Sequence, residues 1–478
     1  MKVVSKIISI LTGILTGAFL FIMTYLDVIP MKYYIPFVGL ILVLMIPILV
    51  FLLRKKTKTV PRIFLIFLSL LFSFCFLMGV NYAYTTLHFM KKANAIEEEA
   101  NVYYVLVRKE SPYQKIEDVK GKKIYTSFEN EDFYKKALKV LEEKIFFTKV
   151  NCMDLRKMAT DLLSNKVEVL FVRDSHKEIF DEEIPHFKEN TRVLDTVTVK
   201  TKVEEVMKDV DSAKEPFSIY ISGMDTYGTI SARSRSDVNI VATINPNTYE
   251  ILLTSIPRDY YVKLHGIAGV RDKLTHAGIY GINMSVKTIE DLLGTSINYY
   301  VRVNFDTLIK VVDVIGGIDV YSDITFPSSR KVSIVKGMNH MDGKTALVFA
   351  RERKSYAEGD RHRGQNQQDV LTAIIKKVTS SKTLLTKYTG ILNSLEGSLE
   401  TNFPMDDMTG FVKKQIDKMP SWKISYYNLN GYDSSNITYS MGNMRLYVME
   451  PDQGTISLAK TYVNGMKEGK TFSELGLS

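Results

Sequence analysis

Arginine and aspartate side chains concentrate in three short segments of this 478-residue chain. The first segment, 225–237 (DTYGTISARSRSD), has two arginines between its terminal aspartates. The second is 257–259 (PRD), and the third, 351–367 (RERKSYAEGDRHRGQNQ), has four arginines within thirteen positions. A planar guanidinium donates two parallel hydrogen bonds to a phosphate, so repeated arginines indicate a polyanionic ligand. Aspartates beside them suit a divalent cation such as Mg²⁺, which binds carboxylates, phosphate oxygens and water.

Together these segments predict a pyrophosphate site, where a metal ion and arginines offset the charge of a transferring phosphoryl group. The residues alone support equally a surface network of salt bridges with the acids Glu352, Glu358 and Asp360. A phosphate-binding P-loop is excluded, because GMNHMDGKT (337–345) has five residues between its glycines where the motif requires four. The seven histidines do not have the spacing of zinc ligands.

The elements that must position these segments alternate between strands and helices. The hydrophobic pattern predicts strands at 217–225 (FSIYISGMD), 239–246 (NIVATINP) and 250–257 (EILLTSIP), with a turn between the last two. Helices are predicted at 283–293, 305–315, 342–352 and 364–378. Ligands of open α/β sheets bind at the carboxyl ends of the strands, and loops from several such ends are expected to converge there.

The N-terminal 82 residues contain three uncharged apolar stretches. They cover about 7–26, 33–53 and 63–82, and each has about 20 residues, the length of a helix that crosses the hydrocarbon core. The loop at 54–62 contains five basic residues and no acid. By the positive-inside rule the N-terminus and this loop are cytoplasmic, so the chain after about residue 83 is predicted to be extracellular.

The formal net charge of +9 is concentrated in this N-terminal part. Eight of the 62 basic residues and one of the 53 acidic residues lie within 1–82, and the rest of the chain is therefore almost neutral. Because nucleic-acid binding requires a basic surface, this distribution argues against a nucleic-acid partner. Cys75 lies in the third apolar stretch and Cys152 outside it, so no intramolecular disulfide is expected.

The predicted fold class is α/β, with several units along the chain. After a membrane anchor at 1–82 we expect a helical stalk at 83–100, a small accessory α/β domain at 101–205 and a larger α/β domain at 214–478. The charged segment 199–216 is expected to be a linker or a short helix between the two domains.

Four blocks of the larger domain resemble the core signature of the LytR-CpsA-Psr (LCP) family. They occur in the family's order and cover most of 217–380: ISGMDTYGTISARSRSDVNIVATINPNTYEILLTSIPRDYYV (221–262), DKLTHAGIYG (272–281), VNFDTLIKVVDVIGGIDV (303–320) and MDGKTALVFARERKSYAEGDRHRGQNQQ (341–368). The three apolar stretches and the accessory domain further resemble the capsule-associated streptococcal CpsA type. This resemblance implies that the larger domain is an α/β/α sandwich of the LCP type.

The resemblance also implies an activity, which is that of an extracellular, membrane-anchored phosphotransferase of Gram-positive bacteria. Members of the family transfer a glycopolymer, here expected to be capsular polysaccharide, from an undecaprenyl-diphosphate carrier to peptidoglycan through a phosphodiester. The implied partners are this lipid-linked donor, the peptidoglycan acceptor, the membrane and capsule assembly proteins. An extracellular site has no ATP, so the energy must come from the lipid diphosphate, and phosphoryl transfer then depends on positioning and charge stabilisation.

Site residues follow from the matching motifs. Asp225 and Asp237 are expected to bind Mg²⁺, with Mn²⁺ as the alternative. Arg235, Arg258 and Asp360 are expected to be catalytic, and Asp360 would either orient Arg363 or accept the proton of the acceptor hydroxyl. The residues expected to bind the diphosphate are Arg233, Arg235, Arg258, Lys273, Arg351, Arg353, Arg363 and Gln367. The chain departs from the family at Asn366, where many relatives have arginine, and this weakens the expectation of a diphosphate contact there.

Two other classes of function stay open at the level of the sequence. A regulatory protein of capsule synthesis would bind lipid-linked intermediates or act as a transcriptional attenuator, although the predicted topology argues against contact with DNA. A polyprenyl-diphosphate hydrolase would use the same donor-binding residues, with water in place of the sugar hydroxyl. Dependence of product formation on an acceptor distinguishes hydrolysis from transfer.

Overall fold

The computed structural model describes residues 2–54, 57–93, 98–127, 132–202, 208, 210–224, 233–327, 333–356, 360–378 and 390–477. The side chains of Glu98, Thr201, Pro327, Asp360 and Arg361 are outside this description. The elements below are numbered in chain order.

Three long apolar helices begin the chain. They are α1 (Lys2–Leu26), α2 (Met31–Leu53) and α3 (Thr59–Ala93), and each is long and apolar enough to cross a membrane. The predicted spans are therefore helices, and α3 continues into the predicted stalk. The stalk is helical from residue 83 to Ala93, residues 94–97 lie outside the described ranges, and the last residues from Glu98 belong to a strand. The prediction of a helix through residue 100 was wrong at that point.

A five-stranded mixed sheet follows, in the order β3-β2-β4-β1-β5. Its strands are β1 (Glu98–Arg108), β2 (Lys123–Ser127), β3 (Thr148–Cys152), β4 (Val169–Arg173) and β5 (Thr191–Lys202). Its helices are α4 (Asp132–Lys144), α5 (Leu155–Leu163), α6 (Asp174–Glu183) and α7 (Phe187–Asn190). The prediction of a linker from residue 199 was wrong at its start, because Val199–Lys202 is the end of β5, which is paired with β1.

The larger sheet has six strands in the order β16-β11-β6-β7-β8-β17. These strands are β6 (Phe217–Met224), β7 (Val238–Asn245), β8 (Glu250–Ser255), β11 (Tyr299–Asn304), β16 (Leu399–Thr401) and β17 (Lys423–Asn428). The longer predicted strands are thus confirmed, and β7 and β8 form the predicted antiparallel pair. The remaining strands pair two by two: β9 (Tyr261–Val262) with β10 (Asp272–Lys273), β12 (Ile318–Ser322) with β15 (Gly337–Met341), β13 (Phe326–Pro327) with β14 (Ser333–Ile334), and β18 (Gly431–Thr438) with β19 (Gly442–Pro451).

Helices cover both faces of the six-stranded sheet. They are α8 (Leu274–Ala277), α9 (Ile282–Leu293), α10 (Phe305–Val314), α11 (Gly343–Arg351), α12 (Asp360–Val378), α13 (Met405–Lys418), α14 (Gln453–Lys467) and α15 (Phe472–Leu475). On one face Tyr220 and Val241 pack with Ile289 of α9 and Ile456 of α14. On the other face Ile240, Ala242 and Leu253 pack against α12. Because neighbouring residues of a strand point to opposite faces, this alternation builds the α/β/α sandwich that was predicted.

The two sheets meet along an extensive contact. The β18–β19 hairpin of the larger unit inserts Met441, Met444 and Leu446 into a core with Met158 and Phe180 of the accessory unit. A buried ionic cluster lies at the same boundary, and we call it the junction network: it consists of Glu99, Arg233, Tyr300, Arg302 and Glu400. The accessory unit is therefore fixed to the larger one by both apolar and ionic contacts.

Candidate active site

The arginine-rich segments meet at one edge of the six-stranded sheet. Strands β6 and β8 are both antiparallel to β7, so their carboxyl ends lie at the same edge as the start of β7. Arg258 follows β8, and Asp237 immediately precedes β7. The edge thus brings together residues that are separated by 21 positions of sequence, as expected for the carboxyl ends of strands in an α/β fold.

A cavity of about 430 Å³ opens at this edge. Its walls contain most of the residues that the sequence predicted for diphosphate binding, together with others from outside the motifs. The lining residues are Glu182, Glu183, Asp237, Val238, Arg258, Asp259, Lys273, Phe305, Arg351, Arg353, Arg363, Gln367 and Tyr447.

Asp237 and Arg258 form the buried base of the cavity. Nη1 of Arg258 donates to Oδ2 of Asp237 at 2.8 Å, and Oγ1 of Thr275 donates to Oδ1 of the same carboxylate at 3.0 Å. Asp259 lies on the other side of Arg258, at 3.4 Å from its Nε, and its Oδ1 forms an ion pair with Nζ of Lys273 at 2.9 Å. The alternation of acids and bases fixes the Arg258 guanidinium in one orientation, which is a requirement for bidentate recognition of phosphate.

The charges around Asp237 keep it ionised. Burial alone would raise the pKa of this carboxyl, but the charges of Arg258, Arg235 and Arg363 outweigh burial and hold its pKa far below the ordinary value. The pKa of Asp259 is lowered in the same way, with burial opposed by Arg258 and Lys273. Both side chains are therefore permanent anions at neutral pH, and neither is suited to accept a proton.

The third polar segment contributes the opposite wall. Arg351 ends α11, and its guanidinium lies over the ring of Phe305 at 4.5 Å from the centroid. Arg363 and Gln367 are one turn apart on α12, so both can face the same cavity. Asn366 is buried between them, and its Nδ2 donates to the backbone oxygen of Phe349 at 3.0 Å. The departure from the family at Asn366 therefore joins α12 to α11 and adds nothing to the cavity wall.

Among the residues that the structure describes, positive charge exceeds negative charge on the cavity wall. Its five cationic side chains are Arg258, Lys273, Arg351, Arg353 and Arg363. Its four carboxylates are Glu182, Glu183, Asp237 and Asp259. The excess among these described residues suits an anionic ligand, because the charges line a common cavity. Glu358 and the Asp360 side chain, which belong to the alternative of a surface salt-bridge network, lie outside the described residues.

Arg233 and Arg235 are not part of this wall. Nη1 and Nη2 of Arg235 donate to the two carboxylate oxygens of Glu182 at 2.8 and 2.9 Å, and Nε lies 3.3 Å from Glu178. Arg233 donates through Nε to Glu99 at 2.7 Å and belongs to the junction network. Both arginines thus pair with carboxylates of the accessory unit. Their contact with a diphosphate stays a prediction.

The predicted metal site is only partly within the described residues. Asp225 lies outside them. For Asp360, which was predicted to be catalytic, the structure describes only the backbone at the start of α12. Asp237 fits the chemistry of a Mg²⁺ ligand, because it is an ionised carboxylate on the wall of the cavity. Within the described ranges no group of three or more His, Cys, Asp or Glu residues comes together as a metal cluster. A metal at Asp237 would thus need further ligands, such as Asp225, phosphate oxygens and water.

Six residues of the cavity wall were not predicted as site residues, and one of them, Val238, is the first residue of β7. Asp259 belongs to the PRD segment and follows β8 just as Arg258 does, but the sequence motifs assigned it no role. Phe305 lies in the block 303–320 but was assigned no role, and Tyr447 lies outside the four blocks. Glu182 and Glu183 come from the accessory unit, and no pattern in the sequence relates them to the larger domain. Only the packing of α6 against the larger unit brings them to the cavity.

The structure thus combines an α/β/α domain that has an arginine-lined cavity with three helices long and apolar enough to cross a membrane. The family model LytR_cpsA_psr matches residues 186–453, and the chain belongs to this family. The prediction from the four sequence blocks is thereby confirmed.

Several relatives have teichoic acid transferase names. The chain is 36% identical over 228 residues to the polyisoprenyl-teichoic acid–peptidoglycan teichoic acid transferase TagU of Bacillus mycoides, which covers 47% of this chain and 73% of that protein. It is also 36% identical over 198 residues to TagU of Enterococcus faecalis, covering 41% and 64%. Among solved structures, TagV of B. subtilis has 29% identity, covers 54% of this chain and 99% of its own, and has a TM-score of 0.45.

Proposed function

We propose that this protein is a membrane-anchored phosphotransferase that attaches a glycopolymer, specifically a capsular polysaccharide, to peptidoglycan through a phosphodiester. The donor is the polymer on undecaprenyl diphosphate. The observation that carries this proposal is the cavity at the sheet edge. The five cationic side chains of its described wall outnumber the four carboxylates there. The names of the TagU relatives support the same class of reaction.

The proposed reaction balances without any further reactant. The acceptor hydroxyl oxygen attacks the phosphorus that bears the sugar, and the bond between this phosphorus and the oxygen that bridges the two phosphates breaks. The products are the polymer–phosphate–peptidoglycan diester and undecaprenyl phosphate, and the hydroxyl proton leaves with a base or with the departing phosphate. The free energy of the diphosphate bond is sufficient, so no nucleotide is required.

The chain's own side chains have the following proposed roles. Arg258, fixed between Asp237 and Asp259, donates to the diphosphate and stabilises charge that develops in the transition state. Arg351, Arg353 and Arg363 bind the outer oxygens from the opposite wall. Lys273 and Gln367 complete the polar wall as further donors. Such preorganised donors are the main source of catalysis in phosphoryl transfer.

We further propose that Mg²⁺ is the cofactor, with Mn²⁺ as a substitute, and that Asp237 and Asp225 hold it. The ion would neutralise charge on the diphosphate oxygens when bound. Asp360 stays our candidate for orienting Arg363 or accepting the acceptor's proton. The ionised state of Asp237 supports the metal proposal and argues against Asp237 itself as the base.

The proposed location is the outer face of the membrane, with a cytoplasmic N-terminus. The loop between α1 and α2 contacts the larger domain, since Asp27 pairs with Lys413 at 2.5 Å and Lys32 pairs with Asp417. The other end of the helices holds the N-terminus, where Oγ of Ser5 donates to the backbone oxygen of Leu52. Arg54, Lys58 and Arg62, three of the five bases of the 54–62 segment, therefore lie at the end opposite the large domain, which supports the positive-inside orientation.

The test uses the full chain in detergent with Mg²⁺, a lipid-diphosphate-linked glycan and a peptidoglycan oligomer. Mass spectrometry follows the glycan–phosphate–peptidoglycan adduct in the wild type, in Arg258→Ala and in the control Arg271→Ala. Arg271 is a suitable control because it is about half exposed and lies outside the cavity. We expect the adduct with the wild type and the control, and a loss of at least about a hundredfold with Arg258→Ala.

Other outcomes favour the competing functions. Free glycan phosphate that forms without the acceptor indicates a hydrolase and contradicts the transferase. Tight lipid binding without turnover, in the presence of acceptor and metal, favours a regulatory protein of capsule synthesis. Equal loss in both variants would show that the cavity is not the site.

A further inference from the structure

The accessory unit supplies part of the cavity wall. Its helix α6 (Asp174–Glu183) ends at the cavity, and Glu182 and Glu183 are two of the four carboxylates there. Without these two side chains the five cations of the wall would face only Asp237 and Asp259. The accessory unit therefore strongly changes the charge that an incoming anion meets, although the motifs of the family lie in the other domain.

Glu182 separates Arg235 from the cavity. Both terminal nitrogens of Arg235 are hydrogen-bonded to its carboxylate, and the Arg235 side chain is 9% exposed, whereas the Glu182 side chain is 46% exposed and lines the cavity. Glu178 lies beside the remaining nitrogen. A ligand in the cavity therefore meets the carboxylate of Glu182 and can reach Arg235 only when this carboxylate moves.

We propose that the Glu182 carboxylate takes the place on Arg235 that a phosphate group of the lipid-linked substrate would otherwise occupy. The accessory unit thereby sets the affinity of the site for diphosphates. The inference rests on the proposed function, which supplies the diphosphate. A carboxylate and a phosphate accept the same pair of parallel hydrogen bonds from a guanidinium, so one can replace the other. Glu182 is exposed enough to turn into solvent as the phosphate takes its place.

The exchange involves the side chain and requires no movement of α6. Ile179 and Phe180 of this helix are buried in the core that the β18–β19 hairpin shares with the accessory unit. Nε2 of His176 also pairs with the backbone oxygen of Ser440 at 3.0 Å. Because these contacts hold the helix against the larger domain, Glu182 stays within reach of Arg235 and competes with every ligand that enters.

The experiment measures binding of inorganic pyrophosphate to the full chain in detergent by calorimetry, at fixed Mg²⁺ and ionic strength. The variant is Glu182→Gln, which keeps the shape and removes the charge. The matched control is Glu183→Gln, which removes the same charge from the same wall, whereas the described partners of Arg235 are Glu182 and Glu178. Arg235→Ala and Arg258→Ala test the two arginines, and unfolding midpoints of all variants exclude loss of structure.

We expect Glu182→Gln to bind pyrophosphate about fivefold more tightly, Glu183→Gln to gain less than about twofold, and Arg235→Ala to bind more weakly than the wild type. In turnover assays Glu182→Gln lowers the donor KM more than it changes kcat. Equal affinities of Glu182→Gln and Glu183→Gln, or an unchanged affinity in Arg235→Ala, would overturn the inference. If Arg258→Ala also binds normally, the diphosphate site itself is wrong, and the failure lies with the proposed function.

Discussion

The cavity and the junction network are two clusters of arginines and carboxylates in the same molecule, but they differ in how their charges are balanced. In the junction network Arg302 lies between Glu99 and Glu400, at 2.9 Å from each, and all three residues are at most 2% exposed. With Arg233 on the other oxygen of Glu99, two arginines meet two carboxylates. Among the described residues the charges of the cluster therefore balance, and its central members are enclosed.

The cavity has an excess of cations and opens to solvent. Arginine content alone therefore does not distinguish a binding site from a structural ion cluster; the balance of charge and the exposure do. Arg235 lies between the two cases, because it is buried and paired like the junction arginines but its partner Glu182 faces the cavity. The following predictions test this distinction by changing one cluster and leaving the other unchanged.

The largest effect is expected in the junction network. Arg302→Met leaves Glu99 and Glu400 buried without their shared cation, and breaking a buried pair in this way typically destabilises a protein by about 3–5 kcal/mol. The denaturant midpoint of the full chain in detergent measures the loss. Arg271→Met, at an exposed pair with Glu450, is the control and should change stability by less than about 0.5 kcal/mol. Similar small losses in both variants would show that the junction is not essential for the fold.

The second prediction concerns the cavity. Arg363→Lys keeps the charge but removes the planar pair of donors, so we expect transfer activity to fall by about 10- to 100-fold while the denaturant midpoint changes little. Turnover with the lipid-linked donor and the unfolding curve are measured on the same preparation. A large loss of stability with Arg363→Lys would place this residue with the junction arginines and contradict its role in binding.

The difference between the two clusters also explains how far the sequence could predict the molecule. The alternation of apolar and polar residues predicted β7, β8 and the helices, because side-chain direction in these elements follows a fixed period. The motifs located Asp237, Arg258 and Arg363, and the sheet edge brings these residues together.

The assignment of Arg233 and Arg235 was less secure for a physical reason. The sequence cannot show which carboxylate a long side chain pairs with, and here the partners Glu99 and Glu182 lie more than fifty residues earlier in the chain. The end of β5 was missed because Val199–Lys202 is charged, and its pairing with β1 decides its conformation. Contacts between residues that are distant in the chain are therefore what the sequence did not predict.

A third prediction concerns α6, at the border between the two clusters. Burial raises the pKa of Glu178 to about 7, because it outweighs the attraction of Arg235. The unfolded chain has the ordinary value, so the folded state binds this proton more strongly, and stability decreases as the pH rises from about 4.5 to about 7. Glu178→Gln should then stabilise the protein by about 1 kcal/mol at pH 8, after allowance for solvent screening, and change little at pH 4.

The measurement is the denaturant midpoint at both pH values, with the exposed Glu189→Gln of the accessory unit as control. A gain at pH 8 that persists unchanged at pH 4 would show that the effect is not due to ionisation of Glu178. A loss at pH 8 would mean that its attraction to Arg235 outweighs its burial, and that α6 depends on this ion pair.

The smallest effect is expected from salt. The cavity is open, so the attraction between its excess cations and an anion is screened by the solution, whereas the junction network is enclosed and is screened little. Pyrophosphate affinity should therefore fall by about threefold between 50 and 300 mM NaCl, while the difference in stability between the wild type and Arg302→Met stays the same. Chloride is the suitable counter-ion, because phosphate or sulfate would itself compete for the arginines. If the affinity does not respond to salt, short-range hydrogen bonds and not the charge excess hold the ligand, and the distinction between the two clusters rests on their geometry alone.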